Sequence, residues 1–189
     1  MKTTSVMIVG VGGQGSLLAS KLLGRLLVDE GYDVKVSEVH GMSQRGGSVV
    51  TYVRFGDKVY SPIVTDGEAD IIIAFEKLEA ARYARYLKAD GCMVVNTQQI
   101  DPMPVITGAA SYPADIAAKL SEKAGAVCID ALAAAKEAGN MKAVNVVLIG
   151  VLAKATDIPH DKLIEALRQT VPAKFLDVNL KAFEAGYNA

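Results

Sequence analysis

The sequence predicts an α/β domain, and three features carry that prediction. An apolar strand over residues 6–11 opens the 189-residue chain and leads through a glycine-rich turn into a helix over residues 16–30. Residues 70–75 and 92–96 are almost continuously apolar, which is typical of strands buried on both faces of a parallel sheet. Segments with helical periodicity lie between these strands. We therefore expect a Rossmann-like, mostly parallel sheet with flanking helices, folded as one domain over residues 1–189.

The glycine-rich turn has the spacing G-x-G-x-x-G at Gly10, Gly12 and Gly15, with Gly13 and Gln14 between them. In such a strand–turn–helix unit, the first glycine permits the tight turn and the second lets a ligand approach the backbone. The third allows the helix to pack closely on the strand. Free N–H groups at the helix start then attract anions such as phosphate. All five residues are candidate cofactor-binding residues; the alternative is a packing turn that binds no ligand.

Glu38 ends the next predicted strand, residues 34–38, which completes a βαβ unit. Gly31 precedes this strand and ends the helix as a C-cap glycine does. Glu38 lies 23 residues after Gly15, close to the position where dinucleotide-binding folds place the acid that holds a ribose. Glu38 is therefore a further candidate ligand-binding residue, and a solvated carboxylate at a strand end is the alternative.

A glycine-rich loop follows this strand and interleaves three glycines with His40, Ser43, Gln44 and Arg45. Loops at the carboxyl ends of strands, beside a glycine-rich turn, are where open α/β sheets bind ligands. Arg45 offers a planar fork for a phosphate or a carboxylate, while His40 and Gln44 can hydrogen-bond a ligand or a partner chain. We count Ser43, Gln44, Arg45 and Gly46 as candidate cofactor-binding residues. A surface loop held by its own hydrogen bonds is the alternative.

An inserted β-hairpin is predicted next, because β-rich residues 48–55 and 58–64 flank Gly56-Asp57, a typical two-residue connection. The remaining elements are predicted in chain order. They are helix 76–88 closed by Gly91, strand 92–96, helix 113–124, strand 126–130, and helices 131–138, 140–154, 161–170 and 178–185.

The helix over residues 140–154 is apolar around its whole circumference between residues 143 and 153. A surface helix of a lone domain keeps a polar face. We therefore expect other helices or another chain to cover part of this helix, which makes self-association a candidate property. Asn145 is the one polar residue of residues 143–153, and we expect it to hydrogen-bond a backbone group near the glycine-rich turn or the following loop.

Composition narrows the classes of function. The net charge of −1 gives no overall basic character for binding nucleic acid. The apolar residues 143–153 are too few to span a bilayer, and the first residues lack the apolar core of a signal peptide. We expect a cytoplasmic protein without membrane or nucleic-acid partners. Cys92 and Cys128 are far apart, so they cannot hold an iron–sulfur cluster, and two histidines make a metal site improbable.

Four stretches together resemble the gamma-type subunits of the pyruvate/2-oxoacid:ferredoxin oxidoreductase family, closest to the beta subunits of its indolepyruvate:ferredoxin oxidoreductase members. The stretches are residues 10–15 (GVGGQG), 37–48 (SEVHGMSQRGGS), 145–150 (NVVLIG) and 179–186 (NLKAFEAG). The resemblance spans nearly the whole chain, and residues 37–48 are much more specific than the glycine-rich turn.

The resemblance implies a division of labour between two chains. A large partner carries thiamine diphosphate and the iron–sulfur clusters, decarboxylates a 2-oxo acid and passes electrons to ferredoxin, while coenzyme A takes the acyl group. The present chain is then a small subunit without catalytic residues or a tightly bound cofactor. It is expected to pack near the thiamine site, with coenzyme A as a candidate ligand.

Two other classes of function remain open on the sequence. A free-standing NAD(P)-dependent reductase needs a general acid or base over the nicotinamide, and the chain has no Tyr-x-x-x-Lys pair. A nucleotide-sensing module without chemistry fits the glycine-rich turn but assigns no role to the loop that follows residue 38.

Overall fold

The computed structural model describes residues 3–38, 41–156 and 158–189, and a six-stranded sheet with helices on both faces forms its frame. The strands are β1 (Thr4–Val11), β2 (Asp33–Glu38), β3 (Ser48–Gly56), β4 (Ala69–Ala74), β5 (Leu87–Asn96) and β6 (Val127–Ile129). The helices are α1 (Ser16–Asp29), α2 (Lys77–Tyr83), α3 (Met103–Ile106), α4 (Ile116–Ala124), α5 (Ala131–Glu137), α6 (Val144–Ala155), α7 (His160–Thr170) and α8 (Ala173–Tyr187). Short 3₁₀ turns cover Met42–Gln44, Ala84–Tyr86 and Met141–Ala143.

The strand order is β2-β3-β1-β4-β5-β6. The ladders β1–β4, β4–β5 and β5–β6 are parallel, whereas β3 runs antiparallel to both of its neighbours, β1 and β2. The α/β class with a mostly parallel sheet and flanking helices is therefore confirmed. The predicted βαβ unit is present in a modified form, because β3 lies between β1 and β2.

The second strand of the predicted hairpin does not form, which corrects that detail of the prediction. Val59 and Val64 suggested a strand, but they are buried anchors of an irregular segment over residues 57–68. The Val59 N–H donates to Asp33 Oδ2 at 2.9 Å. The Arg54 guanidinium donates to the Ile63 carbonyl at 2.7 Å. Because β2 and β1 already satisfy both edges of β3, this segment cannot add another strand beside it.

The helix predicted over residues 76–88 is shorter in the structure, since α2 ends at Tyr83 and β5 begins at Leu87. Leu87 pairs with Ala69 of β4, and the register shifts between Ala69 and Ile71. Gly91 therefore lies within β5 and does not close a helix. A Cβ atom there would come within 3.1 Å of the Ala69 carbonyl oxygen, so this irregular pairing favours glycine.

Helix α6 is enclosed by the chain itself, so of the two covers that we expected, other helices and another chain, the structure shows the helices. Every residue of Val144–Ala153 is buried, between the sheet and the helices α1, α5, α7 and α8. The apolar circumference is thus a property of a central helix, and it no longer supports self-association. The expectation for Asn145 is confirmed, because its Nδ2 donates to the Gly15 carbonyl at 3.2 Å.

Two glycines allow α6 and α8 to touch backbone to backbone. A Cβ atom at Gly150 would lie 2.2 Å from the Phe183 carbonyl oxygen, and one at Gly186 would lie 2.0 Å from the Val147 carbonyl oxygen. Real side chains do not reach such distances. The distance between α6 and α8 therefore depends on glycine at these two positions. The burial of α6 beneath α8 depends on them as well.

We predict that Gly186→Ala lowers the free energy of unfolding by about 1–3 kcal/mol, because the added methyl group overpacks the helix contact. Gly24→Ala is the matched control: Gly24 also lies within a helix, and its Cβ would meet only Val36 Cγ2 at 4.0 Å. The control should be neutral or stabilising by roughly 0.5–1 kcal/mol through helix propensity. Chemical denaturation measures both variants, and equal stability of the two would contradict the packing argument.

Candidate functional site

The glycine-rich turn lies at the carboxyl end of β1, and its backbone requires glycine at two positions. Gly13 and Gly15 have φ values of 99° and 88°, in the left-handed region that other residues rarely adopt. Gly10 permits close packing on Phe75, the residue after β4, since a Cβ atom there would lie 2.9 Å from the Phe75 Cβ. Gly15 also carries the carbonyl that accepts from Asn145. The turn is therefore held by both the sheet and α6.

Gly12 is approached closely, but by the chain itself and not by a ligand. A Cβ atom at Gly12 would lie 2.3 Å from the Ser43 carbonyl oxygen. The Gly12 N–H donates to the Gly47 carbonyl at 2.8 Å, and the Gly47 N–H donates to the Ser43 carbonyl at 2.9 Å. The segment Ser43–Gly47 thus rests directly on the turn and takes the space that we expected Gly12 to open for a ligand.

The Gln14 side chain turns towards the sheet. Its Oε1 accepts from the Val11 N–H at 2.8 Å. Its Nε2 donates to the Phe75 carbonyl at 3.0 Å and to Gln98 Oε1 at 3.3 Å. The amide therefore joins the end of β1 to the residue after β4 and to the loop after β5, so Gln14 acts as a brace of the site.

Asn96 extends this hydrogen-bond network across the sheet edge and is completely buried. Its Nδ2 donates to the Phe75 carbonyl at 3.0 Å and to Gln98 Oε1 at 3.3 Å. Its Oδ1 accepts from the Ala131 N–H at 3.1 Å, at the start of α5. Sequence reasoning missed Asn96 and Gln98. The available signal was a polar residue closing an otherwise apolar strand, at the edge where the glycine-rich turn was also expected.

Glu38 lies beside α1, where its Oε1 accepts from the Ser20 hydroxyl at 3.0 Å. Its strand, β2, is separated from β1 by β3. In the simple βαβ arrangement the two strands would be neighbours and the acid would stand next to the turn. The insertion of β3 therefore separates the strand of Glu38 from the strand that leads into the turn, and the Ser20 hydroxyl of α1 donates to the Glu38 carboxylate.

The loop after β2 is built from a 3₁₀ turn and glycines. Gly46 has a φ of 98°, and Ser43 and Gln44 are half-buried beneath the exposed Arg45. Among the residues that the structure describes, no carboxylate forms an ion pair with Arg45. His40, the remaining candidate of this loop, lies outside the described residues. The structure thus brings Ser43, Gln44, Arg45 and Gly46 next to the glycine-rich turn.

Glu79 anchors the end of this loop and was also missed by sequence reasoning. Its carboxylate accepts from the Ser48 hydroxyl, at the start of β3, and pairs with the Arg82 Nε at 3.1 Å. The side chain is buried, and this burial raises the pKa of the Glu79 carboxyl above its usual value. The residue that follows the loop is thereby tied to α2.

Two clefts open on either side of the turn. The first has a volume of about 270 Å³ and is lined by Gly12, Gly13, Gly15, Ser16, Leu17, Gln44, Val49 and Thr51. The second has a volume of about 670 Å³ and is lined by Gly13, Gln14, Gly15, Gln98, Leu132, Lys136, Met141, Lys142 and Val144. The turn is common to both, so it can present backbone N–H groups to a ligand in either cleft.

Within residues 3–38, 41–156 and 158–189, no group of three His, Cys, Asp or Glu side chains is arranged to hold a metal ion. Cys92 and Cys128 pack into the cores on opposite faces of the sheet, and burial raises the pKa of the Cys92 thiol. Nor is any described helix both long and apolar enough to cross a membrane.

A glycine-rich strand–turn–helix under a glycine-rich loop, at the carboxyl edge of a mixed sheet flanked by helices, defines the chain as an α/β domain. Residues 5–189 match the family model described as pyruvate ferredoxin/flavodoxin oxidoreductase. The chain belongs to this family.

Several curated relatives match over more than nine-tenths of their length. The chain is 46% identical to the indolepyruvate oxidoreductase subunit IorB of Thermococcus kodakarensis, over all of this chain and 96% of that protein. It is 40% identical to the IorB subunit of Archaeoglobus fulgidus, over 97% of this chain and 94% of that protein. A more distant relative is the pyruvate/ketoisovalerate oxidoreductases common subunit gamma of Thermococcus kodakarensis, which is 26% identical over 95% of this chain and 92% of that protein.

Solved structures share the fold. Pyruvate oxidoreductase subunit PORC of Thermotoga maritima superposes with a TM-score of 0.74 at 19% identity, over all of this chain and 97% of that one. The 2-oxoglutarate:ferredoxin oxidoreductase of Magnetococcus marinus, solved with 2-oxoglutarate, coenzyme A and succinyl-CoA, has a TM-score of 0.73 at 21% identity. There the match covers all of this chain and 31% of that chain.

We predict that Gln14→Ala lowers the free energy of unfolding by about 1–3 kcal/mol, since the half-buried Val11 N–H loses its acceptor and the Phe75 carbonyl loses one of its two side-chain donors. Gln99→Ala is the matched control, because Gln99 is exposed and bonds only to Asp101 among the described residues; it should change stability by less than roughly 0.5 kcal/mol. Thermal denaturation compares the two variants. Equal melting temperatures would show that Gln14 does not brace the turn.

Proposed function

We propose that this chain is the small subunit of a 2-oxoacid:ferredoxin oxidoreductase whose substrate is indolepyruvate or another aryl or branched 2-oxo acid. The observation that carries the proposal is the full-length identity of 46% to an indolepyruvate oxidoreductase subunit. The pyruvate-type gamma subunit is much less similar, at 26% identity. The chain therefore groups with the indolepyruvate branch of the family.

The chemistry of the site supports a subunit that assists a reaction carried out elsewhere. Oxidative decarboxylation of a 2-oxo acid needs an electron sink and a path for electrons to ferredoxin. The two cysteines face opposite sides of the sheet, whereas an iron–sulfur cluster needs about four thiolates. A larger partner supplies thiamine diphosphate and the clusters in this proposal, and ferredoxin meets the complex through that partner.

Coenzyme A is the ligand that we assign to the loop of Ser43–Gly46 and the glycine-rich turn. Arg45 is exposed beside the turn and unpaired among the described residues, so its guanidinium is available to a phosphate. The first cleft lies between the turn and Gln44. The Magnetococcus marinus relative was solved with coenzyme A and succinyl-CoA. In this arrangement the small subunit closes over coenzyme A while the partner holds the acyl group.

Reconstitution with the large subunit tests the subunit role. The purified chain alone should reduce no ferredoxin with any 2-oxo acid. The complex obtained by co-expressing this chain with the large subunit should reduce ferredoxin in a reaction that depends on coenzyme A. This reaction should be faster with indolepyruvate than with pyruvate. Turnover by the isolated chain, or failure of the two chains to co-purify, would refute the proposal. A preference for pyruvate would refute only the choice of substrate.

The Arg45→Ala variant tests the assigned ligand. It should change the free energy of unfolding by less than roughly 0.5 kcal/mol, because Arg45 is exposed. In the complex it should raise the KM for coenzyme A roughly tenfold to hundredfold by loss of charged hydrogen bonds, with little change in kcat. Arg168→Ala, an exposed arginine on α7, is the control. An unchanged KM would remove Arg45 from the site.

A further inference from the structure

A segment without charged residues connects β5 to α4 and lies outside both clefts at the glycine-rich turn. Residues 102–114 contain no Asp, Glu, Lys, Arg or His, in a chain of which 22% of the residues are charged. The short helix α3 lies within this stretch, which we call the uncharged segment. None of its residues lines either cleft.

The apolar side chains of the uncharged segment face outward. Met103 and Ile106 are 66% and 65% exposed, and their spacing of three residues places them side by side on one helical turn. Every residue of 103–111 except Val105 is exposed. Apolar surface in contact with water is unfavourable. An exposed stretch of this composition is therefore typical of a surface that another molecule covers.

One buried carboxylate holds the uncharged segment at both ends. Glu76 is only 1% exposed, and its Oε1 accepts from the Ile100 N–H at 3.2 Å and from the Tyr112 hydroxyl. Between these ends, the Pro102 carbonyl accepts from the Val105 N–H at 2.9 Å. A segment that is ordered before it binds loses less conformational entropy on binding. The uncharged segment thus combines exposed apolar side chains with a preformed backbone.

The composition selects the kind of partner. Segments that bind membranes use Lys or Arg to reach anionic headgroups, and nucleic acids also require cations, but residues 102–114 contain neither. The cores of protein interfaces, in contrast, are depleted of charge and enriched in methionine. Specific interfaces bury about 800 Å² on each partner, which is more than Met103 and Ile106 provide. These two side chains are therefore suited to the centre of a larger protein contact.

The position of the uncharged segment indicates which protein covers it. The segment follows the carboxyl end of β5, and β1, β4 and β5 are parallel, so it leaves the sheet at the edge that carries the glycine-rich turn. A chain bound there would lie beside the site that we assign to coenzyme A. In the Magnetococcus marinus relative, the fold of this chain makes up 31% of a longer chain. The rest of that protein is thus always held close to this fold.

We propose that the uncharged segment, with Met103 and Ile106 at its centre, docks into an apolar groove of the large subunit. This inference rests on the proposed function and adds to it the face of the chain on which the large subunit lies. Glu76 is a positioning residue in this arrangement, because it fixes both ends of the segment.

The full chain with Ile106→Glu, co-expressed with the large subunit, tests the docking surface. The added carboxylate would be buried without a partner in an apolar groove. The dissociation constant of the purified complex, measured by sedimentation on dilution, should therefore rise roughly tenfold or more. The midpoint of chemical denaturation of the chain alone should stay the same, because Ile106 is exposed. Ile106→Leu keeps the apolar surface and should change the dissociation constant by less than about twofold.

Val28→Glu is the matched control, because Val28 is an aliphatic residue of α1 that is 58% exposed and lies outside the segment. It should leave the dissociation constant within about twofold of the original. Hydrogen exchange adds a direct map of the contact. The amides of residues 105–111 should exchange roughly tenfold or more slowly in the complex than in the free chain.

An Ile106→Glu complex as stable as the original, or equal weakening by both glutamate substitutions, would overturn this inference and leave the proposed function standing. Dimerisation of the free chain that Ile106→Glu abolishes would also overturn it, since the occupant would then be a second copy. Binding of the free chain to phosphatidylglycerol vesicles through Ile106 would do the same. If the unsubstituted chain forms no complex with the large subunit, the proposed function fails and this inference fails with it.

Discussion

The hydrogen bonds of the Gln14 side chain hold the site together. β1 and β4 are neighbouring parallel strands, and their carboxyl ends diverge into α1 and α2 on opposite faces of the sheet. Such a divergence normally leaves a crevice. Here the Gln14 amide bridges the two strand ends, because it accepts from the Val11 N–H and donates to the Phe75 carbonyl. Through Gln98 and Asn96 the same network reaches the start of α5, so the positions of both clefts depend on it.

The inserted strand β3 explains why this site differs from a simple dinucleotide-binding fold. By lying between β1 and β2 it separates the strand of Glu38 from the strand of the turn, and the Ser20 hydroxyl donates to that carboxylate. It also brings the segment Ser43–Gly47 onto Gly12, where the Gly12 N–H donates to the Gly47 carbonyl. In the simple fold the acid would contact a ribose. Here Ser20 of α1 donates to Glu38, and the glycine-rich turn holds the segment Ser43–Gly47.

The central helix α6 supports the turn from the other side. Asn145 donates to the Gly15 carbonyl, so the polar residue in an apolar helix is satisfied where the turn needs an anchor. The contact of α6 with α8 through Gly150 and Gly186 then shields the rest of this helix. The chain thus covers its own apolar helix. Its most chemically distinctive surface is then the carboxyl edge of the sheet, which carries Arg45, Lys136 and Lys142.

Sequence alone determined the strand–turn–helix at residues 6–30, the apolar parallel strands and the partner of Asn145. These features follow from local glycine spacing, from periodicity and from the cost of burying an unpaired amide. Only the tertiary structure decided that β3 pairs on both edges, that residues 57–68 form no strand and that α6 needs no second chain. It alone also brought Lys136, Lys142 and Gln98 to the turn. Strand order and helix cover depend on contacts between residues far apart in the chain, and no local pattern encodes those contacts.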